Sequence, residues 1–208
     1  MVLRKNPELA GLDDFARIEM NERISDATGC SKINDEKQWF VMRDLTRSNA
    51  KHPAYRMLEE KGLTYFTPMT WKIVVKGGKR ERRFIPLMQD LLFVYDTRTA
   101  IDPIVARVRT FQYRFLRGTN REPMTVRKEE MERFIRVVSS SEFPHYYRPE
   151  EVTSAMYSRK IRIIGGELDG CEGYLETTRG SKVKRLLVEM PKLLAATVEI
   201  KGEYIQLL

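Results

Sequence analysis

The hydrophobic pattern becomes dense at Trp39-Phe40-Val41-Met42-Arg43, a run that reads as a strand. Before it, Leu9, Leu12, Phe15 and Ile18 recur at a spacing of three, enough for a short amphipathic helix but not for a core, so residues 1–37 read as a tail. After it, His52 precedes Pro53, which suits a helix start, and Gly62 marks where that helix ends. Thr64-Tyr65-Phe66-Thr67 reads as a second strand. Thr70 to Lys76, Gly77-Gly78 and Lys79 to Ile85 carry the pattern of a hairpin with a two-residue turn. Leu91-Leu92-Phe93-Val94-Tyr95 is continuously apolar, as a central strand covered on both faces must be.

The period then changes. Thr99 is placed to cap a helix whose Ile101, Ile104, Val105 and Val108 fall on one face. Phe111 to Leu116 returns to a strand pattern, and Thr125 is placed to cap a third helix with Met131, Phe134, Ile135 and Val138 on its apolar side, ended by Ser139-Ser140-Ser141. Residues 38–142 are therefore predicted to be an α+β sandwich, an antiparallel sheet with helices against it. Residues 143–159 hold Pro144, Pro149 and Glu150-Glu151 without sustained periodicity and read as a linker. From 160 to 208 short strands follow, at Lys160 to Ile164, Gly173 to Thr178 and Val183 to Glu189, with glycine turns at Gly165-Gly166 and Gly170. Strands this short, in a segment this small, predict a closed β-barrel that leaves no sheet edge open.

Charge sharpens the division. Residues 1–37 carry 6 basic and 8 acidic groups, 38–145 carry 21 and 12, and 146–208 carry 10 and 9, so the basic excess sits in the middle. A basic block beside a near-neutral segment suits one part working near a polyanion and another contacting protein, although the same excess would also serve solubility. No apolar run approaches the length that spans a bilayer, and Glu8 and Asp13-Asp14 interrupt the start before a leader's hydrophobic segment could form, so neither membrane span nor leader is expected. Cys30 and Cys171 are too far apart in the chain to suggest a disulfide framework or a metal site. A reduced, cytoplasmic compartment is the expectation.

The segment Ile161-Arg162-Ile163-Ile164-Gly165-Gly166-Glu167-Leu168-Asp169-Gly170-Cys171-Glu172-Gly173-Tyr174-Leu175 resembles a KOW motif, with Arg162, Gly165, Gly166, Gly170 and Gly173 as its marks. Ahead of it, Trp39-Phe40-Val41-Met42, Tyr65-Phe66-Thr67-Pro68-Met69 and Leu87-Met88-Gln89-Asp90-Leu91-Leu92-Phe93-Val94 occur in the order of a NusG N-terminal (NGN) domain. The chain is similar to the NusG family from residue 38 onward, and within it most resembles the specialised RfaH and UpxY antiterminators of particular long operons. Gln89 and Leu91 stand where relatives often place a proline and an aromatic.

The resemblance implies an SH3-like KOW barrel behind an NGN domain that docks the clamp helices of the RNA polymerase largest subunit. Leu91, Phe93 and Phe115 match the docking positions, with Trp39 in support, while Arg98 and Asp102 match the approach to the second large subunit. For each of the apolar four, ordinary core is the competing reading. Arg56, Lys61, Arg107 and Arg109 match positions that touch non-template DNA near the transcription bubble, and each reads equally as a solvated helix residue. The barrel would recruit a further protein, such as a ribosomal protein or a termination factor, to a monomeric factor.

Catalytic chemistry has little to stand on. His52 and His145 both neighbour prolines, no nucleophile or carboxylate constellation accompanies them, and no phosphate-binding glycine loop appears, so no catalytic residue, metal or cofactor is predicted. An alternative of another class is a KOW-containing RNA-binding or ribosome-assembly protein. A barrel that reads RNA would be basic, whereas residues 146–208 are nearly balanced.

Overall fold

Gln38–Asp44 (β1) is apolar on both of its faces, and a strand of that kind must sit inside a sheet covered from both sides. A computed structural model describes residues 36–47, 50, 52–116, 118, 121–177, 183–200 and 204–208, and places β1 there. The predicted helix around Leu9 to Ile18, most of the tail 1–37 and Cys30 lie outside the described residues. Ala54–Glu60 (α1) follows β1, then Thr64–Phe66 (β2), the hairpin strands Met69–Lys76 (β3) and Lys79–Pro86 (β4), and Leu92–Asp96 (β5). Arg98–Arg107 (α2), Phe111–Tyr113 (β6), Thr125–Val126 (β7) and Lys128–Ser139 (α3) complete the first half.

β1 pairs antiparallel with β5, β6 and β7, and β2 adds to the outer side of β5. Side chains alternate across this sheet. Phe40, Met42, Leu92 and Val94 join Leu58 of α1 and Ile101 of α2 in one apolar cluster, whereas Trp39, Val41 and Phe93 join Met131 and Phe134 of α3 in another. Two helices therefore cover one face and α3 the other. β3 and β4 form a separate two-stranded sheet, turning through Gly77 and Gly78 at φ of +57° and +77°, values suited to a two-residue hairpin turn.

His145–Tyr147 (β8), Arg159–Ile164 (β9), Glu172–Thr177 (β10), Lys184–Met190 (β11), Leu194–Glu199 (β12) and Tyr204–Leu207 (β13) make a six-stranded antiparallel sheet in the order β13-β9-β10-β11-β12-β8. Its apolar residues continue the cluster around α3, which packs against β1, β11 and β12. The chain is an α+β protein.

Several expectations change in detail. Thr97, not Thr99, caps α2, its side chain accepting from the Ala100 amide at 3.2 Å. Thr125 does not cap α3 but lies in β7 opposite Phe40, and the helix starts after Arg127 without a side-chain cap. The stretch 143–159 is not featureless: β8 pairs with β12 there, and two short 3-10 turns follow, at Pro149–Glu151 and Ser154–Met156. β12 and β13 were not foreseen either.

Candidate functional site

Three of the four apolar positions expected at a docking surface lie inside the protein. Phe93 projects from β5 toward α3, where Phe66 bridges it to Phe134 with ring centroids 6.1 and 6.0 Å apart. Trp39 stacks at 5.2 Å on Tyr95, across β1 and β5. Leu91, Phe93 and Trp39 are all buried, so the open apolar patch expected from them is replaced by core; α3 covers that face of the sheet. Phe115 differs. It is 45% exposed, lies beyond β6 in an isolated bridge to Pro123, and rests its ring 6.3 Å from Tyr113, with Leu116 open beside it in the chain.

Arg98 and Asp102 are brought together on the first turns of α2 as an i, i+4 ion pair at 3.5 Å. Asp102 also accepts from the Tyr113 hydroxyl at 2.8 Å, which ties the helix to β6. Burial, followed by that hydrogen bond, pushes the Tyr113 phenol well above its usual range, so it stays a donor.

The basic positions separate. Arg56 lines a cleft of about 1290 Å³ between α1 and the β3–β4 hairpin, where Arg47, Lys72, Arg83 and Arg148 also face in. Lys61 follows the last turn of α1, Arg107 lies in the last turn of α2 and Arg109 just beyond it, all exposed. The sequence reading missed Arg47 and Arg148, because neither sits on a periodic element; only the fold carries them to Arg56. The alternation of Trp71, Ile73 and Val75 in the hairpin, a period of two that signals one shared face, was legible in the sequence and also went unread.

In the second sheet Gly165, Gly166 and Gly170 all take positive φ, and the Gly165 amide donates to the Asp169 carboxylate at 2.7 Å, closing the turn between β9 and β10. Gly173 is needed for space: a Cβ there would lie 2.3 Å from the Leu187 carbonyl oxygen. Arg162 is engaged by Glu172, at 3.1 Å from Nε, and Lys160 reaches the same carboxylate at 3.2 Å. Those bonds, Arg162's first, hold Glu172 below its usual pKa. Among the described residues no group of His, Cys, Asp and Glu is arranged to hold a metal ion, and no helix is long and apolar enough to cross a membrane.

Residues 37–135 match the family described as transcription termination factor nusG. The match supports a transcription factor of the NusG family. It runs from β1 to most of α3, takes in the hairpin and the cleft, and leaves the second sheet outside. Within the NusG-matched segment lie Phe115, the Arg98–Asp102 pair and all four predicted DNA-contacting cations. No curated protein matches the chain closely enough to count as a relative.

Proposed function

We propose that this chain is a NusG-type transcription elongation factor of the RfaH and UpxY kind, an antiterminator that binds RNA polymerase and keeps it processive on particular long operons. The observation that carries the reading is the nusG match over residues 37–135. In it, residues 38–142 act as the NGN domain, 143–159 as the connection and 160–208 as a KOW barrel. Phe115, the accessible member of the apolar set, makes the first contact with the clamp helices, while Trp39, Leu91 and Phe93 shape the surface from beneath. The Arg98–Asp102 pair meets the second large subunit.

Arg56, Lys61, Arg107 and Arg109 approach the non-template strand through its phosphates. Arg162 is held by Glu172 rather than left open to phosphate, which favours a protein partner for the KOW segment over RNA. The factor works in the cytoplasm as a monomer, without an active site of its own, by adding affinity for the elongating state of polymerase.

The test is affinity purification of the tagged chain from its native cell, followed by sequencing of nascent RNA with and without the gene. Polymerase subunits recovered with the wild-type chain but not with Phe115→Asp, together with read density lost from distal genes of one or a few operons on deletion, would bear the reading out. A folded chain that recovers no polymerase would overturn it.

A further inference from the structure

Among the described residues the β3–β4 hairpin pairs only with itself, and its register places Trp71 opposite Phe84, Ile73 opposite Arg82 and Val75 opposite Arg80. Cross-strand partners share a face, so these six side chains stand on one side of the ribbon. Trp71 is 47%, Ile73 71% and Val75 66% exposed. A two-stranded ribbon that leaves an indole and two branched side chains in water gains nothing for its own stability, and such a surface marks a binding face. The Arg82 guanidinium lies 4.6 Å from the centre of the Trp71 ring, and the Phe84 ring stands 5.0 Å from it.

Charge identifies the occupant. Arg80 and Arg82 stand on this face with no carboxylate among its six residues, whereas Lys72, Lys79, Glu81 and Arg83 occupy the alternate positions, where Arg83 engages Glu81 at 2.6 Å. A partner must therefore be anionic and also offer flat apolar groups to rings and to a guanidinium plane. Unpaired nucleotides do both, since each carries a phosphate and a π-face that a duplex would hide. We propose that this face of the hairpin is a docking site for single-stranded nucleic acid without sequence preference. Bases stack on the Trp71–Arg82 platform, and Arg80 beside it holds phosphate. The inference is independent of polymerase binding, because it concerns the protein alone.

The test titrates the intact chain into fluorescein-labelled oligothymidylate and into a duplex of equal length, following polarisation over a range of salt and the protein's own tryptophan emission. Trp39 is only 5% exposed, so quenching on binding reports Trp71, the other of the two tryptophans. Expected results are tighter binding of the single strand with quenching, and a roughly ten-fold loss in Trp71→Ala that Trp71→Phe restores. A shallower salt slope is expected in the Arg80→Ala, Arg82→Ala double variant. Because Trp71 is exposed, circular dichroism melts of these variants should overlay the parent. Equal affinity for duplex and single strand without quenching would overturn the proposal, reducing the ribbon to a plain basic surface. So would displacement by polyglutamate at matched charge, which would assign the face to an acidic protein, or wild-type affinity in a folded Trp71→Ala.

Discussion

Arg136 on α3 donates to the sulfur of Cys171 at 3.0 Å and to the Asp169 carbonyl at 3.4 Å, so one exposed helix residue fastens α3 to the β9–β10 turn. The thiol itself is buried and free. Removing the guanidinium should cost about 1 kcal/mol, the usual net worth of such bonds. In a Cys30→Ser background, where Cys171 is the remaining thiol, Arg136→Ala should then speed labelling of Cys171 about five-fold by raising the population of locally open molecules. An unchanged rate would show that the apolar contacts of α3 alone keep this turn closed.

Phe93 and Phe115 test the division between core and docking surface. Phe93→Ala would leave a cavity beneath α3 and should destabilise by about 3–5 kcal/mol, visible as a large fall in melting temperature. Phe115→Ala removes a ring already 45% exposed and should shift stability by roughly 0.5 kcal/mol, while weakening recovery of polymerase at least ten-fold if the ring is an interface anchor. A large loss of stability in Phe115→Ala would return that residue to the core.

The hairpin could be read from the sequence because Gly77-Gly78 fixes turn and register locally, and α1 because Pro53 and Gly62 punctuate it. Both helix caps were displaced, for physical reasons the string does not show. Thr97 already offers its hydroxyl to the Ala100 amide, and Thr125 is claimed by a ladder with Phe40 of β1, far earlier in the chain, rather than by its own helix. β8 was hidden because the four residues between Pro144 and Pro149 show no period, and only pairing with Ala195–Thr197 makes three of them a strand. The continuous apolar run at Leu91 to Tyr95 announced burial on both faces, yet which residues of such a strand serve an interface cannot be read until α3 is placed. Of Trp39, Leu91, Phe93 and Phe115, Phe115 alone is exposed.

Gly173 and Gly165 should respond differently to the same change. A Cβ at Gly173 would meet the Leu187 carbonyl at 2.3 Å and the Leu186 side chain at 2.8 Å, so Gly173→Ala must push β10 away from β11. The expected loss is about 2–4 kcal/mol. At Gly165 a Cβ meets nothing within 4 Å, and Gly165→Ala pays only for its φ of +87°, about 1–2 kcal/mol. Urea denaturation of the two variants gives the order, and a reversal would mean that the turn, not the strand contact, limits this sheet.

Tyr146 gives the second sheet an alkaline limit. It sits in β8 opposite Ala196 and packs against the apolar cluster around α3, and burial pushes its phenol from 10.0 up to about 12. A folded-state pKa above the unfolded value means that the neutral phenol favours folding. Its contribution is complete below pH 10 and disappears as pH rises toward 12, a swing of about 2–3 kcal/mol. Other raised phenols, such as Tyr157 hydrogen-bonded to Glu189, add their own alkaline losses, so the comparison must be with Tyr146→Phe. That variant cannot ionise, and its stability relative to the parent should stay constant up to about pH 10 and then climb, as the parent alone loses this share. Denaturation midpoints at pH 8, 10 and 11.5 measure the difference directly. Since β8 is what holds the 143–159 stretch to β12, the parent should also become open to proteolysis between Arg148 and Arg159 over the same pH interval, ahead of global unfolding. Parallel decline of the two proteins with pH would place the phenol in water and remove β8 as the point at which alkali enters.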